Sequence, residues 1–141
     1  MACSECEAKE AKRRVSCLPM ASFVQLDHAC AIITAAFDGS YPFHVGSSTQ
    51  RPDWRDVDVR LMLDDDEYAG RFSDPAYWSL ICLAISEWLS RVTGLPVDFQ
   101  VQRRSQANKE YSGQFRNPLG VGHPDHRRYA GGPQPPTKVE G

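Results

Sequence analysis

At 141 residues, 24% of them charged and 41% apolar, the chain has material for one small domain with a single core. No apolar run approaches the roughly 20 residues of a membrane span, and the charged first residues lack the apolar stretch of a signal peptide, so a cytoplasmic protein with no membrane partner is expected. The formal net charge of −2 hides a division: twelve acidic side chains face five basic ones between Asp27 and Asp98, whereas seven basic face three acidic from Arg103 onward. The middle suits cations and the tail suits phosphates.

Residues 1–20 have mixed charge and few large apolar side chains, and read as a flexible segment with a short helix from Glu5 to Arg14. The five cysteines are odd in number and unevenly spaced, which speaks against a disulfide framework. Cys3 and Cys6 have the spacing of half a zinc site without a paired second half. Ser22 is a capping residue for a helix to about Phe37, with Leu26, Cys30, Ile33 and Phe37 as its buried stripe, and Asp38-Gly39 ends it. Tyr41 to Val45 reads as a strand that turns its His44 outward and closes on Gly46-Ser47. Ser48 to Arg55 is a polar loop with a Pro52-Asp53 turn, placing Arg51 and Arg55 where an anionic ligand would approach.

From Val57 the apolar residues Val57, Val59, Leu61 and Leu63 recur at every second position, so Asp56 and Asp58 share the opposite strand face. The acidic run Asp64 to Glu67 favours the N-terminus of a short helix, Asp66 to Phe72. Ser73-Asp74-Pro75 opens a long apolar helix that runs to Thr93 and stops at Gly94. Cys30 and Cys82 lie in apolar helical patterns as core thiols. Leu95 to Gln102 is a strand on which Asp98 alternates with Val97, Phe99 and Val101. Arg103 to Glu110 is a polar helix or loop, and residues 113–141, rich in glycine and proline, are expected to form a tail with little regular structure, leaving 21–112 as the domain.

A strand, the turn Gly46-Ser47, a strand opening Asp56-Val57-Asp58 and a third aspartate, Asp98, on a later apolar strand resemble the signature of the polymerase-beta-like nucleotidyltransferase superfamily. The resemblance covers about Ser22 to Gln102. It implies an α/β (α+β) fold, a minimal nucleotidyltransferase core in which a short mixed sheet carries helices packed on one face. It also implies an activity: transfer of a nucleoside monophosphate from a nucleoside triphosphate to an acceptor hydroxyl on RNA, protein or a small molecule, with release of pyrophosphate. Two Mg2+ ions, replaceable by Mn2+, are the implied cofactors, because triphosphate and attacking oxygen are both negative. Asp56 and Asp58 would bridge both ions, and Asp98 would hold the ion nearer the acceptor and help remove its proton. Gly46, Ser47, Ser48 and Arg55 are the expected nucleotide contacts. The chain departs from the superfamily pattern in the eight residues between Ser47 and Asp56, a short loop, and in Ser48-Thr49-Gln50 after the turn. These departures bear on the phosphate contacts more than on the metal ligands.

Two other readings stand beside this one. In the first, the chain is a non-catalytic nucleotide-binding or regulatory protein that retains the fold, for example a toxin–antitoxin component. In the second, it is an unrelated α/β domain whose aspartates lie too far apart to share a metal. An exposed sheet face on so small a core is also compatible with a homo-oligomer.

Overall fold

The computed structural model describes residues 16–121. The proposed helix from Glu5 to Arg14, Cys3, Cys6 and residues 122–141 lie outside them. The order of elements is α1 (Met20–Ala36), β1 (Phe43–Val45), a 3-10 turn (Ser47–Thr49), β2 (Val57–Leu63), α2 (Asp65–Arg71), α3 (Pro75–Thr93), β3 (Val97–Arg103), α4 (Arg104–Glu110) and β4 (Asn117–Pro118). None of the described helices is long and apolar enough to cross a membrane.

The strands form one mixed sheet in the order β3-β2-β1-β4, with β2 parallel to β3 and both other pairings antiparallel. This is the expected α/β architecture with a short sheet. The parallel pair needs a crossover, supplied by α2 and α3. The start of α3 follows local chemistry closely. Asp74 accepts a hydrogen bond from the Ala76 amide at 2.9 Å, Pro75 occupies the first turn, and Gly94 at φ 69° ends the helix. By contrast α1 begins at Met20 after Pro19, so Ser22 lies inside its first turn and caps nothing.

Alternation on the strands builds two unlike faces. Val57, Val59, Leu61, Leu63, Val97, Phe99 and Val101 point to one side and pack with Leu26, Cys30 and Ile33 of α1 and Cys82 and Leu89 of α3 as the main core. On the opposite face, Val45 and Met62 meet Ala107 of α4 and Tyr111 in a smaller cluster. The expectation of helices on one face thus holds for α1 and α3 and fails for α4. The short apolar content of residues 104–111 gave little sign that Ala107 and Tyr111 would cover anything.

The outer edge of β3 is covered as well. Its amides at Val97, Phe99 and Val101 donate to Ser90 Oγ (2.9 Å), Ser86 Oγ (2.8 Å) and Cys82 Sγ (3.5 Å), three side chains spaced four apart on α3. Trp78, one turn earlier, donates from Nε1 to the Val101 carbonyl at 2.8 Å.

The expected domain boundary needs correction at its C-terminal side. Residues 117–118 pair with β1, the Leu119 amide donates to the Pro42 carbonyl at 2.8 Å, and Leu119 is fully buried. Gly120, at φ 69°, lies so close to the backbone of Cys30 and Ala31 that a Cβ would collide with it, and its amide donates to Asp27 Oδ1 at 2.8 Å. Glycine and proline here serve a tight pass over α1 and an edge strand, so the packed structure continues beyond residue 112 through Gly120.

Candidate active site

Register sets the site. Val45 pairs with Asp58, and Asp58 with Asp98, so these three side chains form a row across the smaller face; Phe43, Arg60 and Gln100 form the next row. Asp58 and Asp98 are therefore neighbours on adjacent parallel strands. The Gly-Ser turn is brought to the same place. Gly46 adopts φ 81°, and a Cβ on it would collide with the Asp58 carboxylate. No other residue type fits that conformation and that contact together. Asp56 lies just before β2 and is exposed, as is Arg55, while Ser47 is half-buried. Arg51 is 3.9 Å from Asp53 at the surface.

The 3-10 turn is internally bonded: the Thr49 amide and hydroxyl both donate to the Gly46 carbonyl (3.1 and 2.6 Å), and the Gln50 and Arg51 amides donate to the Ser47 carbonyl (3.0 and 2.8 Å). Two expectations fail at this point. His44 does not face outward. It is fully buried on the core face beside Phe23 and shares a 2.6 Å hydrogen bond with Ser48 Oγ. Ser48 is correspondingly buried, so its side chain is no nucleotide contact. The physical reason is that β1 is three residues long and α1 covers the side on which His44 falls. Burial lowers the His44 pKa to about 4, and its Nδ1 has no hydrogen-bond partner, so the ring is neutral.

The residue that sequence reasoning passed over is Arg60. It sits two positions after Asp58 on the same face, is 5% exposed, and finds an acceptor for each of its five N–H groups. Nη1 donates to the carbonyls of Asp98 (2.7 Å) and Val59 (3.1 Å), and Nε to the Tyr111 hydroxyl (3.1 Å). Nη2 spans the aspartates, 3.2 Å from Asp98 Oδ2 and 3.4 Å from Asp58 Oδ1. Burial opposes the Arg60 charge, yet Tyr111, Asp98 and Asp58 more than offset it and hold its pKa above the ordinary value. The signal in the sequence was period two itself: Arg60 continues the polar stripe of Asp56 and Asp58.

Burial raises the Asp58 pKa; Arg60 opposes that shift, while the charges of Asp98, Asp56 and Glu110 add to it. Glu110 is fixed by the buried Gln102, whose Nε2 donates to Glu110 Oε2 at 3.1 Å. Four carboxylates are thus coupled around one guanidinium. Elsewhere a groove of about 400 Å³ is lined by Tyr68, Trp78, Gln100, Gln102 and Gln106, with none of these carboxylates in its wall.

Among the described residues no group of three or more His, Cys, Asp or Glu side chains is gathered to hold a metal ion. The donor chemistry of Asp56 and Asp58, hard oxygens in a negative setting, suits a hard divalent cation. Between Asp58 and Asp98 lies the Arg60 guanidinium. Among the described residues from Arg103 onward, three basic side chains are engaged: the Arg103 guanidinium stacks 4.9 Å from the Tyr68 ring centre, Arg104 pairs with Asp64 at 2.9 Å, and Arg116 donates to Asn108 Oδ1 at 3.0 Å. Comparison of the chain with protein-family models, curated proteins and solved structures finds no match.

Proposed function

We propose that the chain is a metal-dependent nucleotidyltransferase, moving a nucleoside monophosphate from a nucleoside triphosphate to an acceptor hydroxyl. The observation that carries this reading is the adjacency of Asp58 and Asp98 on the smaller face of the sheet, with the Gly46 turn packed against the Asp58 carboxylate. Strand register and turn conformation agree on one location, which scattered surface aspartates would not require.

The surplus of carboxylates over guanidinium draws cations to the site. A divalent cation such as magnesium, held by Asp56 and Asp58, would neutralise triphosphate charge and favour departure of pyrophosphate. Gly46, lacking a side chain, lets phosphate oxygens approach the backbone, and the Ser47 hydroxyl donates to them. The acceptor oxygen bonds to the α phosphorus as the bond to the pyrophosphate oxygen breaks, the electron pair leaving with pyrophosphate. The half-exposed Asp98 carboxylate orients the acceptor hydroxyl and takes its proton.

The Arg60 bridge favours a second reading, a non-catalytic nucleotide-binding protein, because the two carboxylates already have a cation. Calorimetric titration of each of the four triphosphates with and without magnesium, on the native chain and on Asp56→Asn/Asp58→Asn, tests both, followed by transfer of labelled nucleotide. Magnesium-dependent binding that vanishes in the double variant, with label transferred, is the expected result; binding without transfer to RNA, protein or small-molecule acceptors favours the second reading. Absence of any triphosphate binding overturns both.

A further inference from the structure

We propose that Arg60 is a permanent cation in the active site: its guanidinium holds the place between Asp58 and Asp98 that a divalent ion would otherwise take, so that the chain binds one divalent ion where two were expected. The inference rests on the nucleotidyl-transfer reading for its meaning, but the geometry that carries it does not.

A divalent ion set between the two carboxylates would take the position where Nη2 already stands, 3.4 Å from Asp58 Oδ1 and 3.2 Å from Asp98 Oδ2. Ion and guanidinium therefore compete for one position. An arginine tethered only by the carboxylates would yield to an ion and swing into solvent. Arg60 is not tethered that way. Three of its five bonds run to neutral acceptors, the carbonyls of Val59 and Asp98 and the hydroxyl of Tyr111, and none of these gains from the arrival of a metal. Displacement would give up all three bonds from a side chain that is 5% exposed.

The anchor is also built from separate parts of the chain. Tyr111 follows α4 and packs with Val45, Met62 and Ala107 on the same face, so the covering of that face and the fixing of Arg60 are one structure. Asp56 takes no part in the bridge and is exposed, and the other oxygen of Asp58 faces Gly46, on the side of the phosphate turn. That leaves one position for a divalent ion, on the triphosphate side. On the acceptor side the fixed charge of Arg60 orients Asp98, as a positioning residue.

The test counts bound Mn2+ by electron paramagnetic resonance on the full chain, alone and with a non-hydrolysable triphosphate. One ion per native chain is expected. Asp98→Asn leaves that ion's affinity unchanged, because Asp98 is not among its ligands, and Arg60→Met gains a second ion that is lost again on adding Asp98→Asn. Two ions on the native chain, or a loss of about tenfold or more in Asp98→Asn, overturns the inference. The native count and Asp98→Asn decide the matter even where Arg60→Met does not fold. The underlying reading fails separately. No ion on the native chain with one on Arg60→Met, abolished by Asp98→Asn, removes nucleotidyl transfer and keeps Arg60 in the ion's place; no ion on either removes both.

Discussion

His44 and Arg60 are both buried, both basic, and on adjacent strands of one sheet, yet one is neutral and the other charged. His44 lies on the face packed by α1 and has one hydrogen bond, to Ser48, with Nδ1 unpartnered. Arg60 lies on the opposite face and has five. Equal exclusion from water therefore gives opposite outcomes, and the number of acceptors decides between them. The comparison also separates structure from chemistry. A neutral histidine with one bond seals the core behind the turn, whereas a fully bonded cation fixes two carboxylates in front of it.

The largest break in this contrast is Arg60→Met, which leaves the Tyr111 hydroxyl without its donor and two aspartates facing each other. Urea unfolding should show a loss of about 3 kcal/mol, the lower part of the range for breaking a buried pair, since Asp58 and Asp98 retain some water. The His44 side is broken by acid. Its pKa falls from 6.5 to about 4 on folding, so the folded chain binds fewer protons in that window. The stabilisation is fully present above pH 6.5 and is lost as pH falls through about 4, up to about 3 kcal/mol. Urea midpoints between pH 7 and pH 4 should follow that curve, and His44→Gln should flatten it.

Gly46→Ala comes next, at about 2 kcal/mol, from the φ of 81° and the collision with Asp58. It should also weaken triphosphate binding in calorimetry, whereas an alanine at Gly113, where no atom lies near a Cβ, should not. The finest test is Tyr111→Phe, which deletes one of the five Arg60 bonds and should cost about 1 kcal/mol while leaving the aspartate bridge in place. A cost as large as that of Arg60→Met would mean that the phenol, rather than the set of acceptors, keeps the cation.

Much of this arrangement was legible in the chain because it follows local rules. Period two on Val57 to Leu63 assigned Asp58 its face, and Asp74-Pro75 and Gly94 marked both ends of α3. The gathering of Gly46, Asp58 and Asp98 followed from the resemblance plus alternation. What escaped depended on partners distant in sequence. Nothing local says that His44 will be covered by α1, that Tyr111 will reach Arg60 across 51 residues, or that Leu119 and Gly120 will pack on Pro42 and α1. Composition near residue 113 spoke for a tail, but composition does not report a single leucine that finds a core site. The serines of α3 escaped for the same reason: a polar residue on an apolar helix looks solvated until the strand it serves is placed beside it.

That service has a consequence for how the molecule meets others. With the amides of Val97, Phe99 and Val101 already engaged by Cys82, Ser86 and Ser90, the outer side of β3 offers no row of free donors to an incoming extended peptide. A second copy or an unfolded neighbour cannot lengthen the sheet there, so chains do not template one another through the strand that carries Asp98. Replacing those α3 side chains would open a polymerisable edge at the one strand whose register the carboxylates depend on.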